Sequence, residues 1–160
     1  MNSRTIYVDL DGTLADFDRH YLSTIGGLLP PKWRHPDNAQ DVDWERIDAI
    51  NFYATMPPMD DHRLLWDYIT PHGPIILTGC PKIGREGAER NKREWVARHL
   101  GPTVPVITCF SREKARYASP GAILIDDWEK YKHLWLAAGG VWVTHTSATA
   151  TIALLRSHGI

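Results

Sequence analysis

The stretch that decides the fold is Ile6–Ala15, which reads IYVDLDGTLA. It begins as a short hydrophobic strand and runs directly into Asp9 and Asp11, followed by Gly12. Side chains two positions apart on a strand point to the same side, so the two carboxylates can meet where the strand ends. Gly12 permits the tight turn that must follow. Convergent carboxylates at a strand end suit divalent-cation binding combined with nucleophilic attack, and the plain alternative is a solvated turn.

Composition favours a single domain. The chain has 160 residues, 43% of them hydrophobic, which is enough for one core. Its 18 basic and 19 acidic residues give none of the basic excess of a nucleic-acid-coating protein. Cys80 and Cys109 are too few for a disulfide framework, which favours a reducing cytoplasm. We expect no membrane span, because no run of about 18 apolar residues occurs, and no signal peptide, because a strand begins within five residues.

Short apolar runs alternate with helical segments along the chain. Continuous apolar runs are typical of strands covered on both faces. Their alternation with helices predicts an α/β fold with a doubly wound (Rossmann-like) parallel sheet. The predicted strands are 5–8, 74–77, 104–108, 122–125 and 140–143, and the predicted helices are 60–70, 86–100, 128–138 and 146–157.

Residues 16–59 break this rhythm. They contain prolines, an acidic run and several aromatic side chains, but no clear strand. About 40 structureless residues would be unusual inside a compact domain, so we expect a small helical cap inserted after the first strand rather than a long surface excursion. The α/β core then comprises residues 1–15 and 60–160.

Two further strand ends carry matching chemistry. Ligands of doubly wound sheets bind beyond the carboxyl ends of the strands. The second predicted strand ends in Thr78 and Gly79, whose hydroxyl and backbone N–H groups suit phosphate oxygens. The fourth ends in Asp126 and Asp127, adjacent carboxylates that a cation would stabilise. Each of these strand ends has an ordinary alternative interpretation: a turn for Thr78 and Gly79, and a helix cap for Asp126 and Asp127. That three strand ends carry matching chemistry favours a functional site.

These motifs resemble the haloacid dehalogenase-like phosphatases, whose first motif is a hydrophobic strand followed by Asp-x-Asp-Gly-Thr. The resemblance implies that Asp9 is a covalent nucleophile toward phosphate and that Asp11 is the general acid/base. The superfamily also uses a lysine, for which two residues compete. Lys92 lies in the predicted helix 86–100, where lysine is more often solvated. Lys114 follows the third predicted strand, so we expect Lys114 to be the catalytic, phosphate-binding lysine.

A narrower resemblance, to the 5'(3')-deoxyribonucleotidase family, extends from about residue 5 to residue 147. It implies a Mg²⁺-dependent phosphatase of deoxyribonucleoside monophosphates. It further implies that Mg²⁺ is held by Asp9, Asp11 and Asp127, with Asp126 in support. The similar segments are 14–17, 51–53, 56–58, 94–101, 111–114 and 124–127.

The same resemblance implies a base pocket lined by Phe17 and by Phe52 or Tyr53. The alternative is that these rings pack only the core of the cap. One departure is clear: the family usually has Thr-Ser-Pro where this chain has Thr-Gly-Cys-Pro, so Gly79 lacks a hydroxyl contact that a backbone N–H would have to replace.

The expected function is therefore a cytoplasmic, Mg²⁺-dependent phosphomonoesterase acting on a small-molecule phosphomonoester, with no membrane or nucleic-acid partner and with a homodimer left open. Three alternatives remain. A polynucleotide 3'-phosphatase would need a basic groove, for example from Arg85, Arg90 and Lys92. A sugar-phosphate phosphatase would use the same chemistry with different cap contacts. A metal-binding interaction module would retain the fold without activity.

Overall fold

The computed structural model describes residues 4–26 and 42–160. Within them, five parallel strands form one sheet in the order β3-β2-β1-β4-β5. β1 lies at the centre, with Val8 opposite Ile76 on one side and Ile125 on the other. The predicted doubly wound α/β fold is confirmed. The strands are β1 (Ile6–Val8), β2 (Ile75–Gly79), β3 (Val106–Cys109), β4 (Ile123–Asp126) and β5 (Val141–Thr144).

Helices occupy the connections between the strands. The predicted helices recur within a few residues of their expected ends, except that 128–138 divides into a 3-10 turn and a shorter α-helix. The α-helices in the described residues are α1 (Phe17–Thr24), α2 (Trp44–Ala49), α3 (Phe52–Thr55), α4 (His62–Ile69), α5 (Arg85–His99), α6 (Lys132–Ala137) and α7 (Ala148–Ser157), and the 3-10 helices are Thr70–His72, Ser111–Tyr117 and Glu129–Tyr131. None of these helices is long and apolar enough to cross a membrane.

Successive side chains of β1 point to opposite faces of the sheet, and each face is covered by its own hydrophobic cluster. Ile6 and Val8 are fully buried in a large cluster that also contains Trp95 of α5. Tyr7 points the other way and packs edge-on against Trp135 of α6, with ring centroids 5.6 Å apart. A strand that buries both faces cannot show a polar alternation, so its apolar run is continuous.

The ends of the predicted insertion lie side by side. The Asp16 backbone N–H donates to the Pro57 carbonyl at 2.8 Å, and the Met59 N–H donates to the Leu14 carbonyl at 2.8 Å. Helices α1, α2 and α3 lie between these points, and residues 27–41 of the predicted cap lie outside the described residues. The boundaries at 16 and 59 stay a prediction. In the parallel sheet, the ends of β1, β2 and β4 all meet at the edge on which this segment begins.

Candidate active site

Asp9 is fixed by the sheet itself. Its backbone N–H donates to the Ile125 carbonyl at 2.9 Å and so extends the β1–β4 ladder by one residue. The chain then turns sharply at Gly12, whose φ of +80° lies in the left-handed region that favours glycine. A Cβ on Gly12 would collide with the Asp127 carboxylate. The turn after β1 therefore requires glycine for its conformation and for the close approach of Asp127.

Three carboxylates gather around the end of β1. One oxygen from each of Asp9, Asp126 and Asp127 lies within 4.8 Å of the others. Oxygen ligands at this spacing suit a hard cation such as Mg²⁺. With Asp11, four carboxylates face two lysines, Lys92 and Lys114, in the same region. The formal charge, −4 and +2, leaves −2, which one divalent cation would balance.

Lys114 joins the nucleophile candidate to the acidic pair. Its buried ammonium donates to Asp9 Oδ1 at 2.8 Å and to Asp126 Oδ2 at 2.7 Å. Burial lowers the pKa of Lys114, but the charges of Asp126 and Asp9 outweigh burial and raise it. Burial raises the pKa of the Asp126 carboxyl, and the charge of Asp9 adds to the effect. One ammonium shared by two carboxylates does not neutralise both.

Lys92 forms a second, separate set of hydrogen bonds, to Asp11 and to the end of β2. It is fully buried, and its ammonium donates to Asp11 Oδ2 at 2.5 Å. It also donates to the Thr78 hydroxyl at 3.1 Å and to the Gly79 carbonyl. The Tyr53 ring covers the ammonium, with its centroid 4.5 Å away. The expectation of a solvated Lys92 is therefore wrong, because the lysine shares the buried face of α5.

Asp11 is held in a state suited to proton transfer. Burial raises the pKa of the Asp11 carboxyl above its ordinary value, the Lys92 ammonium opposes this effect, and the charge of Asp9 adds to it. Its Oδ2 is bound to Lys92, whereas Oδ1 is buried without a hydrogen-bond partner among the described residues. A carboxyl with a raised pKa and one free oxygen can give a proton to a bound molecule and take one back.

A cavity of about 820 Å³ opens over this constellation. Of the two phosphate-binding candidates at the end of β2, Gly79 lines the cavity, whereas Thr78 is fully buried against Lys92 and is not part of the cavity wall. Sequence reasoning did not assign several of the lining residues to the site, because none of them belongs to the strand-end motifs. The missed lining residues include Trp44, Lys82, Phe110, Ser111, Arg112, Trp128, Lys130 and Tyr131.

The predicted base-pocket rings fall into two groups. Phe17 and Tyr53 line the cavity, although both are almost completely buried. Phe52 is fully buried and is not part of the cavity wall; its ring lies 4.9 Å from that of Phe17 and 4.6 Å from His20. Phe52 supports the wall from behind, and Phe17 and Tyr53 are the members of this set that can meet a ligand.

No protein-family model matches this chain, and no curated protein matches it in sequence. Membership of the haloacid dehalogenase-like superfamily therefore stays a prediction that rests on the motifs quoted above.

Proposed function

We propose that this protein is a Mg²⁺-dependent phosphomonoesterase of the haloacid dehalogenase-like type that works through an aspartyl-phosphate on Asp9. The observation that carries the proposal is the pairing of two strand-end carboxylates with two separate buried lysines. Lys114 binds Asp9, and Lys92 binds Asp11. Burying four such charges in one cavity lowers the stability of the fold, which suggests that they are retained to bind a ligand. Carboxyl groups with a perturbed pKa in a cleft are also typical of catalytic sites.

In the first step, an oxygen of Asp9 attacks phosphorus in line with the leaving oxygen. The new bond joins Asp9 to phosphorus, and the bond to the leaving oxygen breaks. Asp11 in its protonated form gives its proton to that oxygen, so the substrate leaves as an alcohol. The raised pKa of Asp11 supports this role, since it keeps a proton available closer to neutral pH.

In the second step, the Asp11 carboxylate takes a proton from a water molecule, which attacks phosphorus. The bond between Asp9 and phosphorus breaks, inorganic phosphate leaves, and both aspartates return to their starting states. Lys92 orients Asp11 for both steps through its bond to Oδ2, and Oδ1 has no hydrogen-bond partner among the described residues.

Asp9, Asp126 and Asp127 would hold Mg²⁺, together with the backbone carbonyl of Asp11. The cation, when bound, would supply positive charge that offsets the carboxylates and the transferring phosphoryl group. Lys114 would add a second positive charge at the same group. The Thr78 hydroxyl and the Gly79 backbone N–H would bind the remaining phosphoryl oxygens.

The substrate we propose is a nucleoside monophosphate, with a deoxyribonucleotide first among the candidates. The cavity of about 820 Å³ is far larger than a phosphate group needs, and its wall carries aromatic rings that can stack on a base. The alternative function, a polynucleotide 3'-phosphatase, is less well supported, because Lys92 is buried and cannot contact a nucleic-acid backbone. The free thiols Cys80 and Cys109 support a reducing, cytoplasmic setting. A homodimer stays a prediction.

The test is a hydrolysis screen with Mg²⁺ across nucleoside and deoxynucleoside monophosphates, sugar phosphates and a 3'-phosphorylated oligonucleotide. We expect the nucleoside monophosphates to give the highest kcat/KM. Asp9→Asn should abolish turnover with folding intact, because an amide is a poor nucleophile and a weaker cation ligand. Asp16→Asn, at the cap of α1, is a matched control that should remain active. Activity of Asp9→Asn within about tenfold of the wild type would refute the covalent mechanism.

A further inference from the structure

Gly79 and Ser111 compete for one position at the phosphate end of the cavity. Gly79 is the last residue of β2, in extended backbone that any residue can adopt. A Cβ built on Gly79 would collide with the Ser111 hydroxyl and would lie 3.3 Å from Ser111 Cβ and 3.4 Å from Ser111 Cα. The Ser111 hydroxyl therefore occupies the space into which a side chain at position 79 would project.

Ser111 is well placed to meet the reacting group. It lies one turn before Lys114 on the 3-10 helix Ser111–Tyr117, and residues three apart on such a helix share a face. Lys114 binds Asp9 from that face. Ser111 lines the same cavity as Asp9, Gly79 and Lys114.

The Ser111 hydroxyl is also free to serve a ligand. It forms no hydrogen bond with any residue in the part of the chain that the structure describes, and it is not among the buried polar atoms that lack a partner. The hydroxyl is therefore accessible, on a residue that lines the cavity. A hydroxyl in this position can donate one hydrogen bond to an anionic oxygen, and such a bond to a charged acceptor is stronger than one between neutral groups.

We propose that Ser111 is a phosphate-binding residue, and that Gly79 is required because it makes room for the Ser111 hydroxyl. This inference rests on the proposed phosphatase function and adds a residue to its phosphate site. The hydroxyl reaches the site from the helix after β3 instead of from the end of β2. The two positions are then exchangeable: either residue can carry the hydroxyl, but both cannot carry it together.

The experiment compares four variants: Ser111→Ala, Ser111→Gly, Gly79→Ser and the double variant Gly79→Ser/Ser111→Gly. Each is measured for kcat and KM with a nucleoside monophosphate and Mg²⁺, for the dissociation constant of inorganic phosphate by calorimetry with Mg²⁺, and for Tm. Ser119→Ala, at an exposed serine beyond the same 3-10 helix, is the matched control.

We expect Ser111→Ala and Ser111→Gly to lower kcat/KM and weaken phosphate binding by about tenfold, the scale of one lost hydrogen bond to a charged group. Gly79→Ser alone should be at least as impaired, because its side chain collides with Ser111. The double variant should recover to within about threefold of the wild type, since the serine introduced at position 79 then supplies the hydroxyl in the vacated space. A purely structural role for Ser111 would not produce this recovery.

Two results would overturn the proposal: Ser111→Ala within twofold of the wild type in both kcat/KM and phosphate binding, or a folded double variant no better than Ser111→Gly. If the double variant does not fold, Ser111→Ala alone decides. A wild-type protein that binds phosphate but hydrolyses no phosphomonoester refutes the proposed function, and the dissociation constants still test Ser111. A wild-type protein that does not bind phosphate overturns both.

Discussion

The two lysines of the site serve different halves of it. Lys114 comes from the 3-10 helix after β3 and connects Asp9 to Asp126, at the ends of β1 and β4. Lys92 comes from α5 and connects Asp11, in the turn after β1, to the end of β2. In the proposed mechanism, the first lysine holds the nucleophile and the second holds the general acid.

The electrostatic surroundings of Lys114 and Lys92 also differ. Lys114 has two carboxylates for its one charge, so its region stays negative and can accept a cation. Lys92 has one carboxylate, a hydroxyl and a carbonyl, so its region is balanced without a cation. In the proposed mechanism, the charge of Lys114 acts on the phosphoryl group and the metal site, whereas Lys92 orients the carboxyl that transfers the proton. Removing each lysine should therefore have a different kinetic signature.

Removing Lys114 should have the largest effect. In Lys114→Met the buried carboxylates of Asp9 and Asp126 lose their shared cation, and the transferring phosphoryl group loses a positive charge. Loss of one such electrostatic donor typically costs about 10²–10³ in rate, so we expect kcat/KM to fall by about 10³. The loss should be the same for a nucleoside monophosphate and for an aryl phosphate.

The measurement is steady-state kinetics on folded protein, with Tm recorded for each variant. Lys132→Met is the matched control, because Lys132 is a partly exposed lysine paired with Glu129 and should leave kcat/KM unchanged. A loss below about tenfold in Lys114→Met would contradict the role assigned to this lysine.

Removing Lys92 should cost less, and the cost should depend on the substrate. In Lys92→Met the Asp11 carboxyl loses the donor that orients it, so protonation of the leaving oxygen becomes slower. We expect about a 10²-fold loss with a nucleoside monophosphate, whose alkoxide leaves poorly, and at most about a tenfold loss with p-nitrophenyl phosphate, whose leaving group needs little protonation.

The ratio of the two losses is the readout, since it is insensitive to the fraction of folded protein. Arg90→Met, an exposed residue on the same helix, provides the control. Equal losses on both substrates would mean that Lys92 acts on the phosphoryl group as Lys114 does, and the division between the two lysines would disappear.

The sequence predicted one lysine and not the other for a physical reason. Lys114 lies on the 3-10 helix that follows β3, and the ends of parallel strands share one edge, so local position was enough to place it. Lys92 lies in α5, a helix rich in charged residues. Only Ala88, Trp95 and Val96 mark its buried face as apolar, and hydrophobic periodicity counts a lysine on that face as a polar position. Its spacing of three residues from Trp95 was the available signal.

The strands and Asp9 were predictable because continuous apolar runs and a strand-end motif are local properties of the chain. The exchange between Gly79 and Ser111 was not, since it depends on a distance between residues that are 32 positions apart. The position of the aromatic rings was predictable only in part. Composition shows that rings gather in the insertion, but only packing decides that Phe17 lines the cavity and Phe52 lies behind it.

Cation binding should stabilise the fold in a pH-dependent way. Burial and the charge of Asp9 raise the pKa of Asp126 from an ordinary 3.8 to about 6 in the fold. Because the folded state binds this proton more tightly, ionised Asp126 destabilises the fold at pH 7.5, and this destabilisation is relieved as pH falls through about 6. Bound Mg²⁺ should offset the repulsion between the carboxylates of Asp126 and Asp9. Its stabilisation of the fold should therefore be greatest above pH 6 and should decrease below it.

We expect saturating Mg²⁺ to raise Tm by about 5 °C at pH 7.5 and by much less at pH 5.5. The measurement is thermal unfolding with MgCl₂ or EDTA at matched ionic strength. Asp127→Asn should reduce the shift at pH 7.5, whereas Asp67→Asn, an exposed surface carboxylate, should not. A shift of the same size at both pH values would exclude the carboxylate cluster as its source.

The smallest expected effect separates the two phenylalanines. Phe17→Leu removes a ring from the cavity wall, whereas Phe52→Leu removes one from the packing behind it. If Phe17 stacks on a base, Phe17→Leu should lower kcat/KM about threefold to fivefold for a nucleoside monophosphate relative to a sugar phosphate. Phe52→Leu should leave that ratio unchanged and lower the free energy of unfolding by about 1 kcal/mol, because leucine fills most of the same space.

Both variants lose part of a buried ring, so each controls for the loss of packing in the other. The ratio of substrates isolates recognition, since a general loosening of the α1–α3 segment would lower both activities together. If Phe52→Leu changes the ratio as much as Phe17→Leu does, the two rings act as one packed unit and base recognition has to be sought in other lining rings, such as Trp44 or Trp128. If neither variant changes it, the aromatic cluster is structural, and the phosphatase chemistry at Asp9 would stand without the nucleotide assignment.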